Sequence, residues 1–137
     1  MRVLKIFIFV NLFFELSVTQ AGDVTFTSLN DQITLFNNGQ VQSLVISSNS
    51  ESVLIDPINK SNTEAIKNYL RENNKPSITN IIYSHSHWDR LFGSTLFDTK
   101  KHRIISQSAC ELYFTRNNNT DITKPNFYFK KQHTISL

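Results

Sequence analysis

The chain has 137 residues, 39% of them hydrophobic and 18% charged, with a formal net charge of +3, a globular composition that suits one domain of modest size. Its lysines and arginines form no stripe and no aromatic platform interleaves with them, so nucleic acid is not an expected partner. The single cysteine, Cys110, excludes an internal disulfide, so the fold has to rest on a packed core or on a metal.

Arg2 and Lys5 precede an apolar stretch from Ile6 to Phe14, after which the chain turns more polar toward Ala21. That order predicts a secretory signal peptide over 1–21, cleaved after Ala21 with Thr19 at the minus-three position. Asn11 interrupts the apolar stretch and Glu15 closes it, leaving it short of the roughly 20 residues that cross a bilayer. No stable membrane span is expected, and the mature chain, 22–137, is expected to be secreted or periplasmic and to form one domain.

Three β-like runs follow, at 33–36, 41–46 and 52–56, with turns at Asn38-Gly39 and in the Ser/Asn cluster at 47–50. They predict an antiparallel meander. Asp56 closes the third run before Pro57, where its carboxylate can cap the next loop or support a nearby site as a hydrogen-bond acceptor. Ser61 and Glu64 have capping-box spacing, and Ala65, Ile66, Tyr69 and Leu70 share one helical face, which predicts a helix ended by Asn73-Asn74 and Pro76. Residues 78–83 then read as an apolar strand, and strand, helix, strand is the order of a parallel crossover.

Further on, DRLFGSTLF is expected to open a helix, RIISQ to form a strand, and SACELYFTRN to form another helix capped by Ser108 and Glu111, with Cys110 buried on it. FYFKKQHTISL reads as the beginning of a strand pair. Asn59-Lys60-Ser61 and Asn118-Asn119-Thr120 match the glycosylation sequon, a common pattern that matters only in a eukaryotic secretory pathway.

The sharpest signal is IIYSHSHWDRLFG at 81–93, an apolar strand running into two histidines and an aspartate, each two residues apart. In an extended segment His85, His87 and Asp89 point one way, and Ser86 and Trp88 the other. Imidazole and carboxylate are ligands that zinc takes well. The position is the carboxyl end of a strand, where α/β sheets hold ligands, and Gly93 lets the following helix approach the strand end closely. The bland alternative is a polar strand end with one partly buried tryptophan.

HSHWDRLFG resembles the HxHxD(H/R) signature of the metallo-β-lactamase superfamily, and SLVISSNSESVLIDP is similar to the strand pair that precedes it there. The resemblance covers about 30–137 and implies an α/β fold, the amino-terminal half of an αββα sandwich, incomplete at its carboxyl end. It implies one or two metal ions, usually zinc, that activate water against a small-molecule substrate. His85 and His87 would bind the first metal, and Asp89, the catalytic residue, would bind the second and orient the nucleophile. Arg90 stands where many of these hydrolases have a histidine, which leaves the second metal open, since a guanidinium repels a cation. The family's downstream ligands have no counterpart: His102 and His133 both read as solvated. A half-sandwich exposes an apolar sheet face, so self-association through that face is the expected alternative, with a non-catalytic exported metal-binding or interaction module as the competing function.

Overall fold

The computed structural model describes residues 24–116 and 118–137; the predicted leader lies outside them. Among the described residues seven strands form one sheet in chain order: β1 (Thr25–Ser28), β2 (Ile33–Asn37), β3 (Gln42–Ser47), β4 (Ser52–Ile55), β5 (Ile78–Ile82), β6 (Arg103–Gln107) and β7 (Phe127–Phe129). Strands β1 to β4 are antiparallel and β4 to β7 are parallel. The meander and the parallel crossover agree with the sequence. Strand β1 was not expected from it, because Thr25–Ser28 is exposed throughout and shows no buried alternation.

Two α-helices, α1 (Lys60–Glu72) and α2 (Glu111–Arg116), join the parallel strands together with short 3-10 helices. Each parallel step moves the same way across the sheet, and right-handed crossovers then place every connection on one face. The core bears this out: Ile66 and Leu70 of α1, Leu91, Phe97 and Phe114 pack in one cluster with Phe36, Val45, Leu54, Ile81 and Ile104. The opposite face carries the alternate residues. Paired there are Leu35 with Leu44, Leu44 with Ile55, Ile55 with Ile82, Ile82 with Ile105, and Ile105 with Phe127. None of the described helices contributes to a core on that side. No helix among the described residues is long and apolar enough to cross a membrane.

Local chemistry corrects four expectations. Asn59, not Ser61, caps α1: its side chain accepts from the Asn62 amide at 2.8 Å, so Ser61 already lies in the first turn. The predicted helix from Asp89 is instead a pair of 3-10 helices, Trp88–Arg90 and Phe92–Leu96. The reason is competition, since Ile58 N–H donates to Arg90 O at 2.7 Å and Gly93 N–H to Ile58 O at 3.1 Å, drawing in backbone groups that an α-helix would bond internally. The Ser108–Glu111 capping box does not form, because the Gln107 side chain caps the Ala109 amide and Ser108–Cys110 is a 3-10 turn. Cys110 is therefore half-buried in a turn against the core. At the carboxyl end only β7 forms; Gln107 Nε2 donates to Lys130 O at 2.8 Å and the His133 ring lies 4.6 Å from that of Phe127, folding 130–133 back instead of extending a second strand.

Tyr83 closes the core just past β5. Its hydroxyl donates to Thr123 O at 2.6 Å, and burial raises its pKa above the ordinary 10.0. A raised folded pKa means that the contribution is complete below the unfolded value and is lost as pH climbs above it. Urea midpoints should thus fall above pH ~10, and less steeply in Tyr83→Phe; parallel falls in the two proteins would count against this role.

Candidate metal centre

The parallel pairing of β4 with β5 sets Ile55 beside Ile82, so the residues that follow each strand emerge together. Asp56 is buried, and its backbone is fixed by Asp56 N–H to Ile82 O at 2.9 Å and by Ser43 Oγ donating to Asp56 O at 2.5 Å. Its carboxylate accepts from the Ser84 amide at 2.8 Å and from Ser84 Oγ at 2.5 Å. Ser84 Oγ also lies 2.6 Å from His85 Nδ1.

A serine hydroxyl has one proton. Given to Asp56, it leaves Ser84 Oγ only as an acceptor toward His85, so Nδ1 carries the proton of the neutral ring. The lone pair is then on Nε2, the form in which imidazole binds a metal. The His87 ring stands 4.8 Å from that of His85, nearly perpendicular to it. The exposed His87 and the half-buried His85 thus meet at the carboxyl end of the sheet.

Asp89 does not complete a triad. It lies in the 3-10 helix Trp88–Arg90, mostly exposed, with Oδ2 3.4 Å from Arg90 Nε. The strict alternation expected for 85–89 does not hold, since β5 ends at Ile82, the chain bends at Ser84 and His85, and a 3-10 helix begins at Trp88. Among the described residues no three of His, Cys, Asp and Glu converge into a metal-holding group. Two neighbouring imidazoles, with the tautomer of His85 set by Ser84, fit half of a zinc site, which needs three protein ligands when catalytic.

The turn beneath the motif is strained. Asp56 and Ile58 have φ of 54° and 55°, a region that a β-branched residue such as Ile58 rarely enters. Two hydrogen bonds and a parallel bridge to Leu91 hold Ile58 against the motif's 3-10 helices. Neither this strap nor the role of Ser84 was read from the sequence. Ser84 could have been found from strand register, which sets residue 83 beside residue 56 and so brings Ser84 within one residue of it; the strap leaves no local signal.

The sequence profile of the metallo-beta-lactamase superfamily matches residues 36–102. These residues form part of a metallo-β-lactamase superfamily domain. Its fold is shared with a metallo-β-lactamase from Pontibacter korlensis at 18% identity, over 84% of this chain and 56% of that one, with a TM-score of 0.68. A Cronobacter sakazakii metallo-β-lactamase with a HARLDQ motif matches at 16% identity, over 83% and 51%, with a TM-score of 0.68. FIM-1 from Pseudomonas aeruginosa in its mono-zinc form matches at 18%, over 77% and 50%, with a TM-score of 0.62. The chain spans about half the length of these structures. No curated protein matches it.

Two further histidines lie apart from the superfamily signature. His102 precedes β6, and the β5–β6 register sets His85 opposite residue 108, so His102 is about 20 Å away along the strand. It is half-buried on Phe97, its ring 5.1 Å from that ring. His133 is not solvated as the sequence suggests: it packs on Phe127 and Phe129, and its Nε2 is buried without a hydrogen-bond partner.

Gly93 sets how closely the signature approaches α1. A Cβ there would stand 2.2 Å from Thr63 Oγ1, 2.4 Å from Pro57 O and 2.5 Å from Asn59 O. Two of the three neighbours are backbone, so they yield only if the turn moves. Gly93→Ala should destabilise the chain by about 2 kcal/mol or more, measured by urea unfolding; a change below about 0.5 kcal/mol would show that the turn yields freely.

Proposed function

We propose that this chain carries the first half of the zinc site of an exported metallo-hydrolase, with 1–21 as its leader and 22–137 as the amino-terminal part of the domain. Its substrate would be a small molecule with an ester, amide, lactam or sulfate-type bond. The observation that supports this best is the proton count at His85, where Asp56 and Ser84 together leave Nε2 as the free lone pair. His85 and His87 would hold one ion. Asp89, released from Arg90, would orient the attacking water and serve a second ion if one is bound. Zinc, when bound, lowers the pKa of water toward 7 and so supplies a nucleophile at neutral pH.

The chain's own residues account for the rest. Asp56 fixes Ser84, Ser84 fixes the ring of His85, and the strap through Ile58 holds Trp88–Arg90 in place beside it. Since two histidines are short of three protein ligands, the complete site draws on residues beyond those described.

Equilibrium dialysis against zinc tests this without a substrate. The chain should retain zinc, His85→Ala and His87→Ala should each lose it, and Ser84→Ala should bind about 10-fold more weakly. Equal retention by the chain and both histidine variants would overturn the proposal.

A second reading, a non-catalytic module that works by self-association, is favoured by the open apolar face of the sheet. Two copies packed about a two-fold axis would cover it on both. Light scattering should then give a dimer at micromolar concentration, and Ile46→Lys, on that face, should give a monomer; a monomeric mass for the unaltered chain would remove this reading.

A further inference from the structure

At the opposite end of the parallel strands from His85, a cavity of about 390 Å³ opens between the second half of α1, the start of β5 and the turn before β6. Leu70, Ile78 and Phe97 form its apolar floor, and all three are buried. Its rim is made by Lys67, Arg71, Lys75 and His102, and no residue that lines it bears a negative charge. The volume lies within the range of small-molecule sites, which pair an apolar lining with a few polar groups.

The rim cations are placed by the fold instead of being loose on the surface. Lys67 Nζ donates to Leu96 O at 2.9 Å and sits 4.3 Å above the centre of the Phe97 ring. Lys75 Nζ donates to Asp31 O at 2.8 Å. Each ammonium has three N–H groups, so both keep donors for a ligand. His102 Nδ1 bonds the Asp98 carbonyl at 2.9 Å, and its ring leans on Phe97. Lys67 and Arg71 follow one another on the same face of α1, four residues apart.

We propose that this cavity is a second binding site, separate from the histidine pair, for a small amphipathic anion: a carboxylate or phosphate on a short aliphatic or aromatic group. The apolar part would rest on Phe97, Leu70 and Ile78, and the anionic part would meet Lys67, Arg71 and Lys75. Two fields oppose it, the carboxylate of Glu64 acting on Lys67 and the negative end of α1. That end amounts to about half a charge, against three full positive charges on the rim. Burial also lowers the Lys67 pKa, with Glu64 only partly offsetting it, so an anion in the cavity would relieve an incompletely compensated cation.

Residue-resolved NMR titration of the zinc-free 137-residue chain tests this with phenylphosphonate and with octanoate, two probes that tell an aryl phosphate from a lipid-like carboxylate. At least one should shift signals of Lys67, Leu70 and Phe97 saturably, and more tightly than inorganic phosphate, which lacks an apolar group. Arg71→Gln, at an exposed position, should weaken that probe about 5-fold or more without altering the spectrum of the free chain elsewhere. Lack of saturable shifts at these residues with either probe, or equal binding by Arg71→Gln, would overturn the proposal. If inorganic phosphate binds as tightly as both probes, the apolar floor has no role and the amphipathic assignment fails.

Discussion

The parallel contact between β4 and β5 is the constraint on which the rest depends. With Ile55 set beside Ile82, Ser84 leaves the sheet one residue beyond the level of Asp56, close enough to bond its carboxylate, and a two-residue offset in either strand would shift one against the other by about 7 Å. The hydrogen bonds from Ser84 to Asp56 exist only in this register, and they leave Ser84 Oγ as an acceptor toward its neighbour His85. Strand pairing well inside the core thus decides the tautomer of a half-buried imidazole at its rim.

The same run of parallel strands explains why the molecule has two unlike faces. Crossovers that all advance in one direction lay α1, the 3-10 helices and α2 on one side, where they make a core around Leu54, Ile81 and Ile104. The other side carries Leu35, Leu44, Ile55, Ile82 and Phe127 in a line of apolar residues across the strands. Members of the superfamily with about twice this length share the first arrangement, and the pairing of apolar residues on the second side is what a further layer requires.

Much of this was legible in the sequence, and the limits have physical causes. Alternation along 33–36 and 41–46, the helical period at Ala65, Ile66, Tyr69 and Leu70, and the apolar run at 78–83 marked elements whose burial is regular. HSHWDR marked the family. Strand β1 escaped because an exposed edge strand has no buried period, and the helix expected after Asp89 escaped because its backbone bonds go to Ile58, a partner more than thirty residues away in sequence. His133 reads as solvated because it matches a non-ligand position in the family resemblance, whereas its ring folds onto Phe127 and Phe129. The convergence of Asp89 with the two histidines also could not be judged from spacing alone, since the chain bends at Ser84 and His85 and enters a 3-10 helix at Trp88.

The turn at Asp56, Pro57 and Ile58 carries a cost on the order of 1–3 kcal/mol for each residue held in a disfavoured region, and it is held by the motif it supports. Ile58 is clamped by Arg90 and Gly93, while Gly93 can approach only because Pro57 and Asn59 leave no more than a hydrogen's room. Turn and signature are therefore a single unit, distributed over two distant stretches of chain. Moving HSHWDR alone onto another sheet would transfer its ligands without their geometry, and drift at either stretch is tolerable only when the other changes with it.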